Sequence, residues 1–206
     1  MPAELSSEFG TARAAAASVA FAVITGLLLG FVTQRSAHLA VATNEALASS
    51  TGPWAVVAAL IARRATSARL AVCTSTVCLA CATIVFYASG GPAGGPGIPA
   101  FWLALIVTVG PALGIVGRLS NADGITGSLA IAVIAGWLLG EAAHTALAYT
   151  DTARWLVVFA DSAAVPCWLL AARGPRHVIA RALLPASVVA IVLLIVVEHA
   201  SRTVLY

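Results

Sequence analysis

Seven long apolar stretches occupy nearly the whole chain, at about residues 13–33, 37–62, 68–88, 100–118, 125–148, 154–172 and 178–200. Each is near the roughly 20 residues a helix needs to cross a hydrocarbon core about 30 Å thick. Backbone polar groups in lipid must be paired within their own segment, so such stretches predict helices. With 61% hydrophobic and 9% charged residues and a mean hydropathy of +1.00, the chain has too little polar surface to coat a water-soluble domain, which carries roughly 25% charged residues. The expected fold class is all-α: a polytopic transmembrane helical bundle of about seven spans. It forms a single integral membrane domain, residues 1–206, with a short tail at 1–12. The first apolar stretch is too long for a signal-peptide core and is expected to be retained as a helix.

Eleven basic residues, all arginine, set the orientation. With seven spans, one side collects Arg13, Arg63, Arg64, Arg69, Arg118, Arg173, Arg176 and Arg181, and the other Arg35, Arg154 and Arg202. That bias predicts a cytoplasmic N-terminus in the cell membrane. The small net charge of +3, scattered at segment ends, points to topology and not to nucleic acid. The absence of lysine rules out a P-loop or a lysine nucleophile. Cys73, Cys78, Cys81 and Cys167 lie within apolar segments and read as small core residues. GxxxG spacings at Gly26/Gly30, Gly110/Gly114 and Gly136/Gly140 predict close helix packing in a compact bundle.

The acids carry the chemical signal. Glu4, Glu8, Asp123 and Asp151 fall in the tail or in links, but Glu45, Glu141, Asp161 and Glu198 fall within spans. Glu45, Glu141 and Asp161 each lie about seven or eight residues from the same membrane face, so at 1.5 Å per residue all three share a layer roughly 10 Å deep. An ionised side chain at depth costs about 2.5–3.5 kcal/mol on insertion scales, so three at one level need a reason. Burial and mutual repulsion favour a protonated carboxyl among them, which is what a general acid requires. Glu198 lies nearer its span's end, with Arg202 four residues on, and reads as an interfacial ion pair. His38 and His199 read as interface residues.

The neighbours of the three acids are consistent with a lined cavity. Trp137, Glu141 and His144 share one helical face, Asp161, Val165 and Trp168 another, and His38, Glu45 and Ser49 a third. His144 is either a proton partner for Glu141 or a structural histidine. Phe86, Tyr87, Phe101 and Trp102 near span ends either line the cavity or form an interfacial aromatic belt. The polar run Ser49-Ser50-Thr51 followed by Gly52-Pro53 predicts a break in the second span. Unpaired backbone there is tolerable only beside protein or a wet cavity. The break either tilts Asn44 and Glu45 toward the other acids, with Trp54 as a pocket floor, or is an ordinary proline kink. Glu45, Glu141, Asp161 and His144 form no recognisable ligand motif, so neither a metal nor a cofactor is expected.

The segments "TNEALASSTGPW", "AGWLLGEAAH" and "FADSAAVP" resemble those of small bacterial multi-helix membrane proteins. In size and in its sparse intramembrane acids the chain also resembles the membrane-bound, non-squalene-type terpene cyclases of prenylated-indole and meroterpenoid pathways. That resemblance implies protonation-initiated cyclisation of a lipophilic, diphosphate-free isoprenoid. It implies Glu45 and Asp161 as the paired acids, with Glu141 supporting. The chain has no DDxxD, NDxxD or DxDD motif, which excludes metal-bound diphosphate ionisation and the soluble protonation-type cyclases. Expected substrate contacts are Asn44, Trp54, Tyr87, Trp102, Trp137, His144, Phe159 and Trp168, since aromatic faces stabilise carbocations. The alternative is a small-molecule transporter or substrate-binding membrane subunit, because a helix broken beside polar residues also marks transporter sites. The expected partners are the isoprenoid substrate and the bilayer.

Overall fold

A computed structural model describes the backbone of residues 3–39, 50–89, 97–150 and 154–205, and the side chains of 12–36, 50–89, 100–150 and 154–200. It is all-helical over the described residues. The helices are α1 (Ala3–Leu39), α2 (Gly52–Arg63), α3 (Ala68–Ala88), α4 (Gly97–Leu119), α5 (Gly124–Ala148), α6 (Arg154–Leu170) and α7 (Arg176–Leu205). Five are long and apolar enough to cross a membrane: α1, α3, α4, α5 and α7. The chain is therefore a polytopic membrane protein. Because successive helices alternate in direction, one end of the bundle gathers the starts of α1, α3, α5 and α7 and the finishes of α2, α4 and α6.

Two boundaries differ from expectation. Helix α1 begins at Ala3, so most of the expected 1–12 tail is helical. Helix α1 also runs on to Leu39 and so includes His38, whose expected face partners Glu45 and Ser49 lie outside the described residues. Of the expected span 37–62, residues 40–49 lie outside the described residues, and the second described helix starts at Gly52. Its 12 residues amount to about 18 Å, little more than half a bilayer core. Pro53 in its first turn is tolerated because a first-turn N–H has no intrahelical partner to lose. Helix α6, with 17 residues or about 25 Å, is also shorter than a full span.

The glycine spacings mark real seams. A Cβ on Gly26 or Gly30 would collide with the α3 backbone at Cys78 or Ala82. Gly110 and Gly114 seat α4 against Thr76, Ala71 and Val72 of α3, and Gly136 and Gly140 seat α5 against Ala186, Ser187 and Ala190 of α7. Small residues do this work because lipid is as apolar as the side chains, and close van der Waals contact supplies the attraction instead. The result is one packed set of α1, α3 and α4 and another of α5, α6 and α7. Helix α2 lies on α3 and α4 and also touches α5. The largest core cluster includes Ala59 of α2, Ile131, Ile134 and Leu138 of α5, Val165 and Trp168 of α6, and Ile179 of α7.

Candidate functional site

Helix α2 starts inside the bundle, and that start needs partners. Of its leading N–H groups, Pro53 has none to offer. The Thr51 N–H donates to Glu141 Oε1 at 2.5 Å, and the Thr51 hydroxyl donates to Oε2 at 2.9 Å. The Gly52 N–H and the Ser50 hydroxyl also approach this carboxylate. Glu141, only 2% exposed, thus caps a helix from a neighbouring helix. A carboxylate suits this place because the N-terminal end of a helix carries partial positive charge.

Asp161 reaches the same point from α6. Its carboxyl occupies the space where a side chain on residue 52 would sit; a Cβ there would be 3.0 Å from Cγ and 3.1 Å from Oδ2. Only glycine lets the acid approach this closely. Asp161 is 2% exposed and within electrostatic reach of Glu141. Depth agrees from both directions. Glu141 and Asp161 are seven residues, about 10 Å, from one end of α5 and α6, and α2 starts about 18 Å from the other, together close to a bilayer core.

The two acids have unlike surroundings. Glu141 accepts two hydrogen bonds from Thr51, whereas Asp161 Oδ2 is buried with no hydrogen-bond partner among the described residues. Trp137 Nε1 is buried without a partner in the same sense. Trp137 is one turn from Glu141 along α5 and borders an apolar void of about 50 Å³ with Ala55, Val56, Leu113 and Leu138. A void of that size has room for a water or two; drug-sized ligands need roughly 300–1,000 Å³.

The remaining candidates scatter. Glu45 and Asn44 lie outside the described residues. Phe159 is 73% exposed, because two residues before Asp161 is about 200° round α6, on the face away from the acids. The same rotation turns Trp54 away from Asp161. Its Nε1 donates to Thr33 of α1 at 3.2 Å and its ring stands edge-on to Phe86 at 5.8 Å, so it joins α2 to α1 and α3 and floors no acid pocket. Tyr87 and Trp102 meet Phe86 and Phe101 edge-on at 5.2 and 5.7 Å, near the ends of α3 and α4. His144 pairs with Glu198 of α7 through Nε2 at 3.2 Å, and not with Glu141. Glu198 therefore has a partner other than the expected Arg202, whose side chain lies outside the described residues.

Trp168 is 3% exposed but sits two turns from Asp161, under the guanidinium of Arg63 at 5.7 Å. Arg63 and Asn121 are the residues that sequence reasoning missed here. The Arg63 Nε donates to Asn121 Oδ1 at 2.6 Å, and Asn121 Nδ2 returns a bond to the Arg63 carbonyl at 2.5 Å. A second Arg63 nitrogen donates to the Ala171 carbonyl at 3.3 Å. Arg63 had been weighed only as a topology charge. An asparagine two residues past a helix that ends in Arg118-Leu119 is a weak signal for a turn partner.

Residues 10–202 match DUF6518, a family of unknown function. The chain belongs to the DUF6518 family. No curated protein and no solved structure matches it. What this DUF6518 chain offers chemically is therefore read from its own geometry: a carboxylate committed to a buried helix start, and beside it a second carboxyl with an uncommitted oxygen.

Proposed function

We propose that this DUF6518 protein is a proton-coupled carrier, or the substrate-binding subunit of one, for a small organic cation. It is placed in the cell membrane with its N-terminus cytoplasmic, following the arginine bias of its links. The observation that carries this reading is the meeting of Glu141 and Asp161 at the buried start of α2. Two adjacent buried carboxyls do not both ionise readily, so the pair shares one proton. Glu141, held by the Thr51 donors, keeps its charge on the helix start. Asp161 holds the exchangeable proton, and a cation arriving at its free oxygen displaces that proton one for one. Trp137 adds an aromatic face one turn away, suited to an ammonium group. A short helix beginning in mid-bilayer beside ionisable groups is the arrangement by which transporters place a site at the membrane centre.

Proteoliposomes loaded with a pH-sensitive dye test this. Adding choline, tetraethylammonium or putrescine outside should release protons from wild-type vesicles loaded at low pH, and the release should vanish in Asp161→Asn. Amine-independent or Asp161-independent proton movement would end the carrier reading.

One observation favours a second reading. A buried carboxyl oxygen with no hydrogen-bond partner also suits a proton donor, and Trp137, one turn from Glu141, suits a carbocation-stabilising face. A terpene cyclase acting on a prenylated aromatic remains the alternative proposal. Its signature is conversion of a prenylated indole to a cyclic isomer of equal mass by the purified protein, lost in Asp161→Asn.

A further inference from the structure

A second cavity lies at the opposite end of α2, far from the acids. It is a groove of about 260 Å³ between α1, α3 and the turn that follows α2. Ala17, Ser18 and Phe21 form its α1 wall, and Ile61 and Ala65 its floor. Thr74 of α3 closes the far side, and Arg64 is the charged residue of its lining.

The hydrogen bonds within the groove decide what it can hold. The Ser18 hydroxyl donates to the Ala14 carbonyl at 2.9 Å, and the Thr74 hydroxyl donates to the Leu70 carbonyl at 2.8 Å. Both hydroxyl protons are thus committed to their own helices. The donors left are those of the exposed Arg64 guanidinium, which has no hydrogen-bond or carboxylate partner among the described residues. A sugar or a free phosphate would need several polar partners and finds one.

The groove's direction matters as much as its chemistry. The membrane-crossing part of α1 begins at Ala12, so Ala17 and Phe21 lie about 8 and 14 Å below that point. Arg64 stands just past the end of α2, at the surface. The groove therefore runs from a guanidinium at headgroup depth down an apolar wall to Phe21, which is 50% exposed toward lipid. Arg13, one turn outward on the stripe of Ala17 and Phe21, and Arg69 in the first turn of α3 are exposed at the same end.

We propose that this groove is a binding site for one anionic phospholipid, its phosphate on Arg64 and an acyl chain laid along Ala17 and Phe21. Arginine matches a phosphate oxygen pair in a planar fork, and basic pockets between membrane helices recognise lipid headgroups. The bound lipid fills the gap between α1 and the α2–α3 turn and fastens the two.

Native mass spectrometry of the full chain released from detergent tests the site, with phosphatidylglycerol, phosphatidylcholine and inorganic phosphate as separate probes. Wild-type protein should retain phosphatidylglycerol about fivefold more than phosphatidylcholine, the factor expected for one arginine–lipid contact. Arg64→Gln should remove that preference, and Arg176→Gln, at the same end on α7, should leave it intact. Ala17→Trp, which fills the groove while keeping Arg64, should abolish retention. Equal retention of the two lipids by wild type, an unchanged preference in Arg64→Gln, or retention surviving Ala17→Trp would each overturn the site. So would protection against thermal unfolding by inorganic phosphate equal to that given by phosphatidylglycerol.

Discussion

The two ends of α2 solve the same problem in opposite ways. Both must anchor a helix too short to span the bilayer. At its finish, Arg63 bonds Asn121 and the Ala171 carbonyl and stacks on Trp168, so polar groups from α2, the α4–α5 turn and the end of α6 satisfy one another. At its start, Glu141 is satisfied by Thr51, but Asp161 Oδ2 and Trp137 Nε1 stay buried and unpartnered among the described residues. A buried polar group without a partner costs about 1–3 kcal/mol. On the proposed function, the closed end serves stability and the open end serves chemistry.

The largest loss of stability should come from the closed end. Arg63→Ala strips two side-chain hydrogen bonds and a ring contact and orphans Asn121 Oδ1, for about 3 kcal/mol, read as a lower unfolding midpoint in detergent. Arg63→Lys should recover only part of this, because an ammonium lacks the fork that reaches Asn121 and Ala171 together. If Arg63→Ala melts like wild type, the two ends do not differ as described. Next comes Gly52→Ala at the open end. Its methyl group would enter the space of the Asp161 carboxyl, and overpacking of this kind costs about 1–3 kcal/mol. Shortening the acid in a Gly52→Ala, Asp161→Ala double variant should return most of the loss. A double-mutant cycle with no coupling between the two positions would show that they do not touch.

One side of this contrast, the acid layer at the start of α2, could be read from the sequence; the other could not. Depth counting along the apolar stretches placed Glu141 and Asp161 in one layer, because helical rise converts sequence position into height directly. The Gly52-Pro53 pair marked where a helix starts. Periodicity says which residues share a face but not which neighbour that face meets. Trp54 and His144 were therefore drawn toward the acids, when α1 and α3 claim the first and Glu198 of α7 the second. Phe159 was drawn there by its chemistry alone, although two positions from Asp161 already implied the opposite face. Arg63 was invisible for another reason. At a helix end an arginine is as consistent with a lipid surface as with a buried latch, and only the position of Asn121, 58 residues away, separates the two.

The third prediction separates the two acids. Glu141→Gln keeps one acceptor but sets an amide N–H against a Thr51 donor, so at least one buried donor loses its partner, for about 1–3 kcal/mol. Thr51→Val, which removes the hydroxyl and keeps the N–H, should cost about 1 kcal/mol.

Asp161→Asn should have the smallest effect on stability and the largest on function. No described hydrogen bond depends on its Oδ2, and the neutral amide stands in for the protonated carboxyl beside Glu141. Its side chain has nearly the same shape, so Gly52 still accommodates it. Unfolding midpoints should therefore match wild type or rise slightly, while amine-driven proton release disappears. A merely structural aspartate gives the reverse: a lower midpoint, with activity falling only as far as folded protein is lost. Measuring both quantities on one preparation distinguishes a group kept for its proton from a group kept for its contacts.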